Sequence, residues 1–190
     1  YYITTPIYYP SAKPHMGHAY SSIIADFFAR FKKIDGYNVY FLTGTDEHGL
    51  KVQRAAEEHD CSPIEWADRT VVRFQEAWTE LQISNDDFIR TSEPRHYKAV
   101  EKLLQACYDN GDVDLQTYEG LYCVSCEAYF NEGDLIDGCC PIHGRPVEHV
   151  EEENYFFKLS RYEEPLRKWY ESRPDFVVPT AVSYTHLRAH

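Results

Sequence analysis

Four cysteines crowd into eighteen residues, at positions 123, 126, 139 and 140, and a histidine follows at 143. Cys123-Val124-Ser125-Cys126 is separated by thirteen residues from Cys140-Pro141-Ile142-His143. Two ligands two residues apart let one tight turn present both to a single ion, and two such turns complete a tetrahedron. Cys123, Cys126, Cys140 and His143 are therefore read as a structural Zn2+ set: three thiolates and one imidazole, with no open position for catalysis. Cys139 competes with Cys140 for the third place, but only Cys140 keeps the two-residue gap to His143. Buried thiols without metal are the alternative reading.

Two further clusters could act on a substrate. His15-Met16-Gly17-His18 lies where a β-rich stretch gives way to a helical one. A strand-to-helix junction suits phosphate, because free backbone N–H groups and the positive end of the helix dipole face an incoming anion. Gly17 allows close backbone approach, and two imidazoles can donate to phosphoryl oxygens. The bland alternative is a pair of surface histidines. Thr43-Gly44-Thr45-Asp46-Glu47-His48-Gly49 follows the next apolar run. Ligands of open α/β sheets bind beyond the carboxyl ends of the strands, so both loops reach one crevice. A carboxylate there suits a substrate ammonium; alternatively Asp46 and Glu47 only cap the helix beginning near Gly49.

The elements that must position these groups are legible in outline. Tyr2 to Tyr9 is β-branched and aromatic, and Pro10 and Pro14 end it. A helix is expected from about Gly17 to Ile34, where Tyr20, Ile23, Ile24, Phe27, Phe28, Phe31 and Ile34 recur at helical spacing. Ser22, Asp26, Arg30 and Lys33 lie opposite them, and Asp35-Gly36 stops the helix. Val39 to Thr43 reads as a buried parallel strand. Ser62-Pro63-Ile64-Glu65 is a capping box opening a helix that buries Ile64, Ala67, Val71, Phe74, Trp78 and Leu81. Asp87 to Arg90 reads as a strand. A helix after Glu93-Pro94 buries Tyr97, Val100, Leu103, Leu104 and Cys107 and ends at Gly111. Beyond Asp112 the periodicity gives way to short strands, glycines and the cysteine cluster, followed by a strand at Asn154–Leu159 and a helix at Arg161–Glu171. The fold class is α/β: the first half of a doubly wound, Rossmann-like parallel sheet (1–111) with an inserted zinc knuckle (112–180).

Composition bounds the partners. Thirty-one acidic against 19 basic residues give a net charge of −12, a poor electrostatic match for phosphate backbones, so DNA is not an expected partner and any tRNA must be gripped locally. No apolar run approaches the ~20 residues of a membrane span, so no membrane partner is expected, and no secretory signal opens the chain. Cysteines clustered for metal rather than spread for disulfides fit a cytoplasmic enzyme. The first residue, Tyr1, lies inside a strand, so a few native residues are expected to precede it.

Thr5-Pro6-Ile7-Tyr8-Tyr9, His15-Met16-Gly17-His18, Thr43 to Gly49, Glu119-Gly120-Leu121-Tyr122-Cys123 and Asn154-Tyr155-Phe156-Phe157 follow one another as in the bacterial methionyl-tRNA synthetases. The chain resembles that family over roughly residues 1 to 180. The first histidine motif alone marks only class I synthetases and related nucleotidyltransferases; Thr43 to Gly49 and the knuckle narrow the resemblance. It implies a methionine–tRNA ligase that forms methionyl-adenylate from methionine and ATP with Mg2+, then charges tRNA(Met). It further implies that His15, Gly17 and His18 form the ATP site, with His15 and His18 catalytic. Asp46 would take the methionine ammonium, and Pro6, Ile7 and Tyr9 would line the amino-acid pocket, an apolar wall suited to a thioether. Core packing is the other reading of Ile7 and Tyr9, and His48 receives no role.

The departures are as informative. No Lys-Met-Ser-Lys-Ser-like string occurs in these residues, and the anticodon-binding helical domain that the resemblance implies is expected to be missing from this stretch too. The resemblance stops near Thr180; residues 181–190 resemble translated adapter sequence and read as a non-native tail. This stretch alone is expected to be inactive. Two rivals stand beside the synthetase: a zinc-containing nucleotidyltransferase that works without tRNA, and a non-enzymatic RNA-binding zinc-knuckle module.

Overall fold

The computed structural model describes residues 1–126 and 128–178; the tail reading of 181–190 lies outside them. The element order is β1 (Tyr2–Thr4), α1 (Met16–Ile34), β2 (Tyr40–Thr45), α2 (Leu50–Glu58), α3 (Pro63–Glu80), β3 (Asp87–Arg90) and α4 (Pro94–Asp109), then β4 (Val113–Cys123), β5 (Ala128–Phe130), β6 (Glu148–Phe157) and α5 (Glu163–Ser172). β1, β2 and β3 form a parallel sheet in that order, with Ile3 opposite Phe41 and Thr43 opposite Phe88. Helices between parallel strands are the crossovers such a sheet requires, and the α/β expectation holds.

The sheet is drawn tight at Gly44. A Cβ there would collide with the carbonyl oxygen and the side chain of Ile89 on β3, so only glycine fits. Ser62 and Glu65 close the expected capping box of α3: Ser62 N–H donates to the Glu65 carboxylate at 2.9 Å and Glu65 N–H to Ser62 Oγ at 3.4 Å.

The helix faces correct the periodicity reading. α1 buries Ser22, Ala25, Asp26 and Ala29, while Tyr20, Phe27 and Ile34 are 70%, 63% and 87% exposed and Ile23, Ile24, Phe28 and Phe31 are exposed too. Small side chains let the helix axis approach the sheet, where Ala25 and Ala29 pack with Phe41, Val39 and Ile3. Asp26 tolerates this position because its carboxylate accepts from Ser84 N–H and Oγ–H and from Arg30 Nε, each at 2.6 Å. Burial alone would raise its pKa, but those donors outweigh burial and hold it below the ordinary carboxylate value. α3 buries Ala67, Thr70, Val71, Phe74 and Trp78 as expected, but leaves Ile64 and Leu81 exposed. α4 buries none of its residues, against the expectation for Tyr97, Val100, Leu103, Leu104 and Cys107.

Among the described residues, 1–103 and 120–150 form one compact unit; Leu104–Glu119 and 151–178 form a second. In the second, buried Asp112 is the organising residue. Its carboxylate accepts from Arg161 Nη1 at 2.6 Å and from Tyr162 OH at 2.5 Å, and its carbonyl from Lys158 N–H at 2.8 Å. β4 is the central strand of a sheet ordered β5-β4-β6, with β4 and β5 antiparallel.

Candidate functional site

His15 is the N-cap of α1, and the two histidines cap the helix reciprocally. Gly17 N–H donates to His15 Nδ1 at 3.0 Å, and His15 N–H donates to His18 Nδ1 at 3.1 Å. The rings stack with centroids 3.8 Å apart. A ring nitrogen that accepts from an amide carries no proton, so both neutral imidazoles are fixed as Nε2–H tautomers. Each then keeps a donor on its far nitrogen. A Cβ at Gly17 would meet His15 Cε1 at 2.9 Å, so a larger residue there would have to displace the His15 ring. The cap gives both rings fixed partners at the start of α1, with His15 exposed.

His18 packs against the Tyr8 ring at 4.8 Å and Phe74 at 5.3 Å between centroids. Burial first, and then the neighbouring His15, lower its pKa from the ordinary 6.5. The folded state therefore binds fewer protons here than the unfolded chain. Its contribution to stability is complete above pH about 6.5 and is lost as the pH falls below that value through the folded pKa. The melting temperature of the intact protein should drop on acidification across that window. His18→Gln, which can still accept from the cap amide but does not titrate, should flatten this part of the profile; an unchanged slope would remove His18 as its source.

The second loop is built on the carboxyl end of β2. Thr5 N–H donates to Leu42 O, Tyr8 N–H to Gly44 O at 3.0 Å, and Asp46 N–H to Tyr8 O at 2.9 Å. Pro6–Tyr9 thus runs alongside β2 and ends beside Asp46. Pro6, Ile7 and Tyr9 are exposed, Ile7 by 40% and Tyr9 by 37%, which contradicts the core-packing alternative and leaves them facing an open surface. Lys51 Nζ lies 5.0 Å from the Tyr9 ring centroid. Asp46 is half-buried and accepts from Thr91 Oγ1 at 3.5 Å. The capping alternative fails: α2 has Gly49 as its N-cap, with no side-chain cap bond.

Glu47 points the other way and was missed as a positioning group. Only 5% exposed, it accepts from Thr45 Oγ1 at 2.9 Å and Arg90 Nε at 2.6 Å through one oxygen, and from Ser92 through the other. Its own N–H donates to Thr91 Oγ1 at 2.8 Å. Strand alternation was the available signal: Thr43, Thr45 and Glu47 share one side and Asp46 lies on the other. His48 Nε2 lies 3.3 Å from Thr91 O, its ring beside Tyr97. Glu47→Ala would leave Arg90 partly buried without its main partner. It should cost about 3 kcal/mol, the lower range for breaking a buried pair; a urea-denaturation loss under 1 kcal/mol would refute that.

The knuckle brings Cys123, Cys126, Cys140 and His143 together, their donor atoms all within 4.8 Å of one another, while Cys139 lies outside the cluster. Cys126 Sγ is 3.4 Å from Cys140 Sγ and 3.1 Å from His143 Nδ1, and Cys140 Sγ is 3.9 Å from that nitrogen. A tetrahedron with ~2.3 Å metal–sulfur bonds has edges of about 3.8 Å, so the donor set fits one small cation. Cys123 and Cys140 are fully buried. Burial alone would raise the Cys140 thiol, but the backbone of His143 and Ile142 and the His143 ring outweigh it and bring it down to about 6. Burial, then hydrogen bonding with Cys140 and Cys123, pushes Cys126 up to about 12. Arg54 Nη2 bonds both carboxylate oxygens of Glu148, at 2.7 and 2.9 Å, tying α2 to the first residue of β6.

The family model of class I tRNA synthetases (M) matches residues 1–146 and 130–186. The methionine–tRNA ligase of Caldanaerobacter subterraneus subsp. tengcongensis is 51% identical over 179 residues, covering 94% of this chain and 28% of the relative. That of Bacillus subtilis is 46% identical over 190 residues, covering 94% and 29%. The Mycobacterium tuberculosis methionyl-tRNA synthetase solved in complex with methionyl-adenylate superposes with a TM-score of 0.91 at 44% identity, covering 95% of this chain and 36% of that one. The chain thus spans 28% and 29% of the lengths of those two ligases. A parallel sheet with a histidine-capped first helix, and a family model that covers nearly all of it, lead to one statement: the chain belongs to the class I tRNA synthetases, type M.

Proposed function

We propose that these residues are the ATP- and methionine-binding half of a methionine–tRNA ligase. The reading rests on one observation above the others. The two imidazoles are pinned through Nδ1 by their own helix start, which leaves Nε2–H as the remaining donor of each, and Tyr8 joins that start to the strand end bearing Asp46. The first step is attack of the methionine carboxylate on the α-phosphorus of ATP, assisted by Mg2+, releasing pyrophosphate and leaving methionyl-adenylate. The chain's part is to position groups and stabilise charge. His15 and His18 donate from Nε2 to phosphoryl oxygens as charge shifts to the pyrophosphate, and Gly17 keeps the helix start open to the nucleotide. Asp46 holds the ammonium, which aims the carboxylate; Pro6, Ile7 and Tyr9 line the pocket for the thioether. Transfer to the 3'-terminal adenosine of tRNA(Met) follows. Cys123, Cys126, Cys140 and His143 would hold Zn2+, which would cross-link the knuckle and supply no chemistry. The functional division falls at residue 112, with the catalytic half before it and the zinc-bearing insertion after it.

A cytoplasmic location fits thiols kept free for metal, and no helix among the described residues is long and apolar enough to cross a membrane. The test is methionine-dependent ATP–pyrophosphate exchange in the full-length protein. His15→Ala and His18→Ala should each lower kcat by about 10²-fold, the scale of losing one donor to developing charge. Exchange that ignores methionine, or histidine variants within threefold of wild type, would overturn the reading.

A further inference from the structure

Tyr8 stands between the two loops and takes part in both. Its main chain belongs to the amino-acid side: its N–H donates to Gly44 O and its carbonyl accepts from Asp46 N–H at 2.9 Å. Its side chain belongs to the nucleotide side. The hydroxyl is 2.7 Å from Ser21 Oγ and 3.0 Å from Ser22 Oγ, and the ring packs on His18 at 4.8 Å. Ser21 commits its proton to the carbonyls of Gly17 and His18, both at 3.2 Å. The Tyr8 hydroxyl also reaches the main chain of this helix start, donating to His18 O at 3.4 Å. These hydroxyl contacts lie within the first two turns of the helix that His15 and His18 open. The residue is only 6% exposed, stacked on Phe74 and edge-on to Trp78, so its ring has one position.

We propose that Tyr8 is a positioning residue: its buried hydroxyl locks the histidine-capped start of α1 to the strand end that carries Asp46, fixing the nucleotide loop in register with the amino-acid loop. This deepens the ligase reading and rests on it. In-line attack needs the carboxylate and the α-phosphorus placed together, and a shift of about 1 Å costs on the order of 10²-fold in rate. A tyrosine that only filled the core would be replaced by phenylalanine with little effect on chemistry, because the ring and its packing are kept.

The test is made in the full-length protein with Tyr8→Phe and, from the other end of the contact, Ser21→Ala. Steady-state pyrophosphate exchange and 15N spectra of the histidine rings are measured on the same samples. Tyr8→Phe should lower kcat about tenfold, leave KM for methionine within twofold, and move the His18 Nδ1 signal away from that of an amide-bonded acceptor. Ser21→Ala should shift the same quantities in the same direction by less. A melting temperature that falls with kcat and both KM values unchanged would overturn the proposal in favour of a packing role. So would an unchanged His18 spectrum. If His15→Ala and His18→Ala are themselves silent in exchange, the ligase reading fails and this proposal with it. If they are damaging while Tyr8→Phe is not, the positioning role alone fails.

Discussion

A chelator strong enough to strip Zn2+ from the intact protein is expected to melt roughly residues 120–148 while the parallel sheet of β1 to β3 stays folded. Structural zinc contributes on the order of 10–16 kcal/mol to small knuckles, more than such a segment can replace from its own core. Of its four donors, Cys123 and Cys140 are fully buried, and the apolar residues around them, Ile136 and Ile142, are 63% and 71% exposed. Little besides the metal would hold the loops between β5 and β6. Backbone hydrogen exchange should show fast amides across the knuckle and protected amides in β2 and α3. Metal analysis should give one zinc per chain, retained by Cys139→Ser and lost by Cys140→Ser. Absence of stoichiometric zinc, or retention by the Cys140 variant only, would refute the donor set.

The second large effect is expected at Asp46. Asp46→Ala in the full-length protein should reduce kcat/KM for methionine by about 10²–10³, as when a desolvated ammonium loses its only counter-charge. KM for ATP should stay within a few-fold, because the groups proposed to meet the nucleotide, His15, Gly17 and His18, lie at the start of α1. The fold should survive, since the carboxylate accepts only a long 3.5 Å bond, from Thr91, among the described residues, while the neighbouring buried carboxylate, Glu47, does the structural holding. A variant with near-normal efficiency for methionine would leave Asp46 without a substrate role. Glu47→Ala should show the opposite profile, with stability lost before specificity. The pair therefore separates a binding carboxylate from a positioning one at adjacent positions.

What could be read from the sequence depended on how local the cause was. The α3 cap, the stop of α1 at Gly36 and the choice of Cys140 over Cys139 follow from spacings of two or three residues, and the structure has all three. The face that α1 turns inward did not follow. Seven large apolar residues at helical spacing announce a buried stripe, yet the helix packs by Ser22, Ala25 and Ala29 because the sheet demands close approach. Asp26 looked like a surface charge because Ser84, which donates to it twice from the turn before β3, is 58 residues away. Asp112 looked like a boundary marker for the same reason; its partners Lys158, Arg161 and Tyr162 lie beyond the knuckle. Tyr8 was hidden inside a strand-like run. Only the pairing of its backbone with β2 and the reach of its hydroxyl to α1 set it apart from Tyr9.

Gly44 carries a lesson for anyone reshaping this sequence. It touches no substrate group, and in a library randomised over Thr43 to Gly49 its neighbours would look like the positions worth exploring. Selection for catalysis and selection for mere solubility would nonetheless return the same letter at 44, since any side chain must push β3 off β2 before activity is ever sampled. Invariance at that site would thus be silent about specificity, and a screen for altered amino-acid preference gains coverage by leaving it out.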